Sequence, residues 1–308
     1  MEPVRKKVVL WWGRSDVDYS RNRIIRQLFL SLGWEIIDFS PTISVLADIE
    51  AYMRRLPQVT LVWVPCFRQR DVSAARRWSN RKKVPLVFDP LISAYDKQVW
   101  ERNKFPEGSK KANKLLKWER ALFRSVDYLI ADTKHHAAFY ADKMRIDTSK
   151  LSVLPVGAEE ALFMPQDDIG LNRPLRILFY GSYIALQGPE VIAEAAQLYD
   201  GPRVEWLFIG DGPLRQQVEA ILQELDDVRF IDWVPYADLA EKIAQADICL
   251  GVFGSTDKTQ VIPNKVYQAL ACARPVITSE SDVYPLSLRQ NGDSGLFFVP
   301  ANDAMAFA

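Results

Sequence analysis

Short apolar runs alternate with amphipathic stretches along the whole chain, and this alternation limits the fold more than any other feature. It is the signature of β-α-β units, in which each strand of a parallel sheet is followed by a helix. The alternation runs once through the first half, loses its periodicity between Pro155 and Pro174, and then begins again. The sequence therefore predicts an α/β protein of two Rossmann-like domains that face each other across a cleft.

The chain has 308 residues, which is more than one hydrophobic core usually serves. We predict a first domain at residues 1–165, a linker at 166–174 and a second domain at 175–308. The strands predicted in the first domain are Lys7–Trp12, Glu35–Phe39, Thr60–Val64, Leu86–Asp89, Asp127–Ala131 and Leu151–Pro155. Its predicted helices are Ser20–Leu32, Val45–Arg55, Val72–Asn80, Ser109–Ser125 and Thr133–Lys143.

The second domain repeats the same order of elements. Its predicted strands are Leu175–Tyr180, Val204–Ile209, Val228–Ile231, Asp247–Val252, Pro275–Thr278 and Leu296–Val299. Its predicted helices are Pro189–Tyr199, Pro213–Leu225, Tyr236–Ala244 and Asn264–Cys272.

Composition excludes several classes of protein. A chain that is 48% apolar and 25% charged is globular, not disordered or fibrous. Its 39 basic and 39 acidic residues cancel, which argues against a general nucleic-acid binder. The three cysteines lie far apart without metal-ligand spacing, which is typical of reduced thiols in the cytoplasm. The apolar run Val8–Trp12 is too short for a signal peptide, and no run reaches the ~20 residues of a membrane span.

The net charge of zero conceals an asymmetry between the two halves. Residues 1–170 hold 29 basic and 21 acidic side chains, a balance of +8, whereas residues 171–308 hold 10 and 18, a balance of −8. Part of the basic excess lies at Ser109–Arg124, within the predicted helix Ser109–Ser125, and Trp118 is at the edge of this basic face. We interpret this face as solvated. The alternative is a contact with an anionic membrane surface.

A glycine-containing loop, Gly181 to Gly188, lies between a predicted strand and a predicted helix. Its spacing matches neither the GxGxxG dinucleotide motif nor the GxxxxGK[ST] phosphate loop. Backbone amides at such a helix start attract phosphate, and glycine lets a ligand approach the backbone. A plain strand-to-helix turn that needs glycine explains the same residues equally well, so both interpretations stay open.

Two further motifs follow similar strands. The turn chemistry of Gly210-Asp211-Gly212-Pro213 accounts for the motif without a ligand, and Asp211 suits a helix amino end. A helix opens near Asn264, so Lys265 and Gln268 lie on one face of its first turns. A lysine there opposes the helix dipole, which favours an anionic partner. The alternative is a solvated charge beside a surface amide.

Taken together, these segments resemble the carboxy-terminal half of the retaining GT-B glycosyltransferases of family four, the glycosyl transferases of group 1. The resemblance rests on ILFYGSYIALQGPEVIAEAA, LFIGDGPLRQQV, FIDWVPYADLAEKIAQADICL and VIPNKVYQALACARPVIT, which occur in the family's order. In the first half, WWGRSDVDYSRNRIIRQLFLSLGWEI and DYLIADTKHHAAFY are similar to the family's opening loop and last amino-domain strand. The resemblance spans about residues 7–300.

The resemblance implies roles for particular residues. The glycines of the loop would cradle the donor phosphates, Lys265 would neutralise their charge, and Gln268 would bind a ribose hydroxyl. The implied donor-binding residues are Gly181, Ser182, Gln187, Gly188, Gly210, Asp211, Gly212, Trp233, Val234, Asn264, Lys265 and Gln268. The implied acceptor-side residues are Gly13, Arg14 and Asp16. Asp89 is the candidate catalytic residue, which would orient an acceptor hydroxyl or stabilise positive charge on the sugar, with a turn-forming Asp-Pro as the alternative.

The sequence departs from the family in four positions. Ser182 and Gln187 stand where the family has an arginine and a lysine. Val261 and Gln268 stand where it has a pair of glutamates. The chain also ends at Ala308, earlier than the family's last elements, so we expect either a naturally short protein or a fragment.

The predicted function is transfer of a sugar, with retention, from a nucleotide-diphosphate sugar to a saccharide or lipid-linked acceptor in envelope polysaccharide or glycolipid synthesis. No metal or cofactor is expected, and Asp167-Asp168 is interpreted as a solvated part of the linker. The protein is predicted to be cytoplasmic, at the inner membrane face, and not to bind nucleic acid. The alternative is a catalytically silent nucleotide-binding or scaffold protein of the same fold.

Three further charged or titratable residues have expected positions. His135 and His136 are expected at a surface or cleft edge, and Arg21 is expected to meet phosphate or be exposed.

Overall fold

The computed structural model describes residues 6–166, 173–254, 261–290 and 292–308. It divides into two compact units, Met1–Val156 and Gly157–Ala308. The predicted linker at 166–174 stays a prediction, because residues 167–172, which include Asp167 and Asp168, lie outside the described residues.

The first unit is built on a six-stranded parallel sheet. Its strands are β1 (Val8–Trp12), β2 (Glu35–Phe39), β3 (Leu61–Val64), β4 (Leu86–Phe88), β5 (Tyr128–Ala131) and β6 (Leu151–Val153). Its α-helices are α1 (Ser20–Ser31), α2 (Ala47–Met53), α3 (Val72–Lys82), α4 (Lys110–Ser125) and α5 (Lys134–Asp142). The spatial order is β2-β1-β3-β4-β5-β6, so β1 lies between the strands that follow it in the chain.

The two faces of this sheet belong to separate hydrophobic clusters. Leu10 and Trp12 of β1 pack in one cluster, whereas the alternate residues Val9 and Trp11 pack in the other. Successive side chains of a strand point to opposite faces, so a sheet covered on both sides needs continuous apolar runs. This explains why β1 reads as an unbroken run of five apolar residues.

The second unit repeats the architecture. Its strands are β7 (Leu175–Tyr180), β8 (Val204–Ile209), β9 (Val228–Ile231), β10 (Ile248–Leu250), β11 (Val276–Ser279) and β12 (Leu296–Val299), in the parallel order β12-β11-β10-β7-β8-β9. Its helices are α6 (Pro189–Leu198), α7 (Arg215–Leu222), α8 (Tyr236–Ala244), α9 (Asn264–Ala271), α10 (Leu286–Arg289) and α11 (Ala304–Phe307). Alternate residues again divide between two clusters, with Leu178 and Tyr180 on one face and Ile177 and Phe179 on the other.

Two stretches of the first unit differ from the sequence prediction. The helix predicted at Val45–Arg55 is a 3₁₀ turn, Ser44–Leu46, followed by the shorter helix α2. A π-helical segment, Asp96–Glu101, was not predicted at all. It places Asp96 inside the protein, and the short sequence between the strand end and α4 gives no apolar periodicity that could reveal this.

Candidate functional site

In the second unit, the loops that follow β7 and β10 meet at the point where the strand order reverses. From β7 the chain proceeds to β8 and β9 on one side, and β10 then pairs with the other side of β7. Open parallel sheets bind ligands at this switch point, beyond the carboxyl ends of the strands. The loop from Gly181 to Gly188 follows β7, and the residues from Gly251 to Gly254 follow β10.

Glycine is required where these two loops touch. A Cβ atom on Gly188 would lie 2.4 Å from the amide nitrogen of Gly254, and one on Gly254 would lie 1.7 Å from the carbonyl oxygen of Ala185. The Phe253 amide donates to the Gln187 carbonyl oxygen over 3.1 Å, which fixes the contact. Gly188 also precedes α6 with a φ of 63°, a left-handed value suited to glycine. The loop therefore leads directly into the amino end of α6, where backbone amides lack helical partners.

Lys265 lies beside this loop and is almost fully buried. Its Nζ atom donates to the carbonyl oxygen of Gly251 over 3.1 Å and lies 4.3 Å from the ring centre of Phe179. A Cβ atom on Gly181 would be 3.4 Å from Lys265 Nζ and 3.6 Å from Gln187 Oε1. The structure thus brings together Gly181, Gln187 and Lys265, which the sequence analysis singled out from separate motifs.

Burial lowers the pKa of Lys265 to about 7. Among the described residues, no carboxylate forms a salt bridge with its ammonium group. An anion placed against the loop would therefore meet a cation that is incompletely paired, in a setting of low polarity where charge attraction is strong.

Gln268, one turn further along α9, is buried against β7 and α8. Its Oε1 atom accepts a hydrogen bond from the Tyr180 hydroxyl at 3.2 Å, and its Nε2 atom donates to the Tyr236 hydroxyl at 3.4 Å. Both ends of the amide thus have partners within the protein. The contact of Gln268 with a ribose stays a prediction, and so does that of the half-buried Asn264 at the start of α9.

The Gly210–Pro213 turn supports the glycine loop from the side of β8. A Cβ atom on Gly210 would lie 2.1 Å from the carbonyl oxygen of Gly181, and one on Gly212 would lie 2.8 Å from that of Tyr183. The Tyr183 amide donates to the Asp211 carbonyl oxygen at 3.0 Å. The exposed carboxylate of Asp211 accepts from the Gly212 amide at 2.7 Å. This geometry favours the structural interpretation of the motif, because each glycine permits a backbone contact.

Arg215 is a further residue of this region, and no sequence motif singled it out. Its Nη1 atom donates to the carbonyl oxygen of Gly210 and to Asp232 Oδ1, each at 2.7 Å. It thereby joins the loop after β8 to the loop after β9, where Trp233 has 61% of its surface exposed and Val234 is half-buried. One feature of the sequence could have indicated this role: Arg215 is a cation at the first position of α7, where it opposes the helix dipole. Ser182 is half-buried beside these loops.

In the first unit, Asp89 and Arg21 form a buried ion pair. Arg21 Nε donates to Asp89 Oδ2 at 2.8 Å, and Arg21 Nη1 donates to the Pro155 carbonyl oxygen at 2.7 Å. The expectation that Arg21 meets phosphate or is exposed is wrong, because the side chain has no exposed surface. Burial raises the pKa of Asp89, and the charge of Arg21 opposes that rise. Asp89 is 1% exposed, so its environment favours holding Arg21 over contact with an acceptor.

His136 is also buried, which corrects the expectation of a surface or cleft-edge residue, whereas His135 is exposed. The Nδ1 atom of His136 lies 2.5 Å from Asp132 Oδ1, and its Nε2 atom lies 3.7 Å from Asp96 Oδ2. Burial lowers the pKa of His136, but the two carboxylates outweigh burial and raise it to about 9. An imidazolium between two carboxylates therefore lies inside the first unit.

The predicted acceptor-side residues follow β1. Gly13 has a φ of 127°, and a Cβ atom there would lie 3.0 Å from Asp71 Oδ2. Arg14 is exposed and lines a pocket of about 720 Å³. Asp16 is exposed, and its carboxylate accepts from the Asp18 amide at 2.9 Å. Of the three, Arg14 alone lines that pocket.

The described residues contain no helix long and apolar enough to cross a membrane. They also contain no group of three or more His, Cys, Asp or Glu side chains arranged so that it could hold a metal ion. That no metal or cofactor is needed stays a prediction.

Comparison with known proteins gives matches to sequences and to solved structures. Residues 174–308 match the family described as glycosyl transferases group 1. The chain is 26% identical over 243 residues to the probable glycosyltransferase WbjE of Pseudomonas aeruginosa, a match covering 72% of this chain. The match spans 59% of the length of this curated relative, or about three fifths.

Two solved structures share the fold across nearly the whole chain. The sucrose-phosphate synthase of Thermosynechococcus elongatus superimposes with a TM-score of 0.70 at 18% identity, covering 98% of this chain and 88% of that one. HepE of Anabaena, solved in complex with UDP, superimposes with a TM-score of 0.68 at 12% identity, covering 98% and 87%. The predicted two-domain α/β fold of GT-B type is confirmed.

Proposed function

We propose that this protein is a retaining glycosyltransferase, since residues 174–308 match the family described as glycosyl transferases group 1. It transfers a sugar from a nucleotide-diphosphate sugar to a saccharide or lipid-linked acceptor in envelope polysaccharide or glycolipid synthesis. The second unit binds the donor and the first unit binds the acceptor. One observation carries the proposal: Lys265, Gln187 and Gly181 converge where the strand order of the second sheet reverses.

The chemistry requires stabilisation of a leaving diphosphate. When the bond between the anomeric carbon and the donor phosphate oxygen breaks, negative charge grows on that oxygen. The ammonium of Lys265 and the amides at the amino end of α6 are the groups placed to stabilise this charge. Because they are fixed by packing, little reorganisation is needed during the reaction.

The donor site lacks four charged side chains that are usual for the family that the sequence resembles. Ser182 and Gln187 are uncharged, and Val261 and Gln268 are not carboxylates. Backbone amides and Lys265 therefore carry most of the phosphate binding. Gln187 Oε1 is buried and has no hydrogen-bond partner among the described residues, so this acceptor is available to a donor group of a ligand, such as a sugar hydroxyl.

A thermal-shift panel of UDP, GDP, ADP, CMP and NAD tests the nucleotide class. We expect a nucleoside diphosphate to stabilise the protein more than CMP or NAD, since only ligand bound to the folded state raises the melting temperature. UDP is the first choice because HepE was solved with UDP. A larger shift with NAD than with any diphosphate would contradict the proposal.

The second candidate is a silent nucleotide-binding or scaffold protein, which the uncharged Ser182 and Gln187 favour. Turnover separates the two candidates. Release of nucleoside diphosphate that depends on an acceptor supports transfer, whereas tight donor binding without release supports the silent protein.

We also propose that α4 contacts an anionic membrane surface. Lys110, Lys111, Lys114 and Lys117 are exposed on this helix, and Trp118 is partly exposed beside them. Each such lysine contributes about 1 kcal/mol near an anionic bilayer. The protein should co-sediment with anionic vesicles at low salt, and replacing three of these lysines by glutamine should remove most of the binding. Neutral vesicles are the control, and no co-sedimentation with anionic vesicles would contradict the proposal.

A further inference from the structure

The first unit has a pocket of about 720 Å³ that the donor site does not use. It is lined by residues that follow β1, β2 and β3, including Arg14 and Arg70, and by α4. β1 lies between β2 and β3, so the strand order reverses here as it does at β7 in the second sheet. This is the place in the first sheet where a ligand is expected.

One wall of the pocket is apolar although it faces solvent. Ile43 is 53% exposed and Val45 is 66% exposed, and Leu115 and Trp118 of α4 complete the wall. Several large apolar side chains left in water on one surface mark a binding site more often than a plain exterior.

The apolar surface continues along α2. On the outer side of the segment Ser44–Met53, the exposed residues Leu46, Ile49, Tyr52 and Met53 are all apolar or aromatic. The inner side carries Ala47 and Ala51, which are buried. A surface helix normally turns a polar face to solvent, so an outer face of this kind is fitted to an apolar partner.

Two guanidinium groups supply the pocket with positive charge. Arg14 and Arg70 are exposed, and neither has a salt bridge or side-chain hydrogen bond among the described residues. By contrast, Arg68 is paired with Asp71, and Arg77 is paired with Asp48. Unpaired arginines beside an apolar wall match a phosphate attached to a hydrocarbon chain, because arginine binds phosphate in a forked geometry.

We propose that this pocket binds the phosphate and the adjoining hydrocarbon chain of a lipid-linked acceptor. Arg14 and Arg70 bind the phosphate, Ile43 and Val45 line the path of the chain, and the outer face of α2 covers its continuation. The proposal rests on the proposed function, since it names the acceptor class of the same enzyme.

Calorimetry with farnesyl diphosphate, below its micelle concentration, tests the proposal. Inorganic diphosphate and farnesol are the comparison ligands, and each should bind at least about tenfold more weakly, because each lacks one half of the contacts. The double variant Arg14→Ala/Arg70→Ala should weaken farnesyl diphosphate binding about tenfold or more. The matched control Arg102→Ala/Arg124→Ala removes the same charge from exposed positions outside the pocket and should leave binding unchanged.

The variant Val45→Asn tests the apolar wall separately, because it adds polarity without charge, and at an exposed position it should fold normally. It should weaken farnesyl diphosphate about tenfold and leave inorganic diphosphate unaffected. Equal affinity for farnesyl diphosphate and inorganic diphosphate would overturn the proposal, as would unchanged binding in the Arg14→Ala/Arg70→Ala variant. UDP binding is measured on the same samples. If the protein binds UDP but not farnesyl diphosphate, the proposal for this pocket is wrong and the donor site stands. If it binds farnesyl diphosphate but not UDP, the proposed donor site is wrong and the pocket stands.

Discussion

Replacing Lys265 by methionine is expected to weaken UDP binding about tenfold to a hundredfold, because a hydrogen bond to a charged group contributes ~1.5–3 kcal/mol. Methionine keeps an apolar stem over the Phe179 ring while removing the ammonium group, so the fold of the second unit should be retained. Isothermal calorimetry with UDP measures the effect. The matched control is Lys242→Met, at a lysine of α8. Unchanged UDP affinity in Lys265→Met would contradict the assignment of the donor site.

The same lysine should make UDP binding depend on pH. Its pKa is about 7 in the unoccupied protein, and bound phosphate favours the charged form, so binding above that pH takes up a proton. UDP affinity should therefore fall as pH rises from 7.5 to 9, where the phosphate itself no longer titrates. Well above the pKa, UDP affinity should fall about tenfold for each pH unit. This pH dependence should disappear in Lys265→Met. If both proteins showed the same pH dependence, a group other than Lys265 would be its cause.

Breaking the Arg21–Asp89 pair should be the most destabilising single change in the first unit. Arg21→Met leaves a buried carboxylate without its partner, at a cost of about 3–5 kcal/mol in the free energy of unfolding. Urea unfolding followed by tryptophan fluorescence measures this change, and seven of the nine tryptophans lie in the first unit.

The double variant Arg21→Met/Asp89→Leu provides the control. It removes both charges and should lose clearly less stability than Arg21→Met, because no unpaired charge remains. If the double variant lost as much stability as Arg21→Met or more, an unpaired buried carboxylate would not be the cause of the loss. The exposed variant Arg102→Ala should have almost no effect.

Sequence patterns predicted much of the framework. β1, β2 and β7 to β9 are continuous apolar runs or clear alternations, and they lie within one residue of the predicted bounds. The meeting of Gly181 with Lys265 also follows from sequence, because the carboxyl ends of parallel strands share one edge of a sheet. What the pattern could not supply was the order of strands, which decides that β10 lies next to β7.

Burial of charged side chains was the main feature that sequence did not reveal. Arg21 belongs to a polar-looking stretch of α1, and its partner Asp89 lies 68 positions away in the chain. His136 likewise depends on Asp96, which an unpredicted π-helical segment brings inward. A charged residue is buried only where the fold supplies its partner. When that partner is distant in the chain, the local sequence wrongly indicates that the charged residue is exposed.

The contacts at Gly181, Gly188, Gly210 and Gly254 limit how this protein can diversify. At Gly188, Gly210 and Gly254 an added side chain would collide with backbone, so substitution there would force the loops apart instead of reshaping the space beside them. A change in the proposed donor preference is therefore more accessible through side chains near these glycines, such as Gln187 and Trp233. A mutagenesis library aimed at altered sugar-nucleotide choice should leave the four glycines intact and vary those two positions.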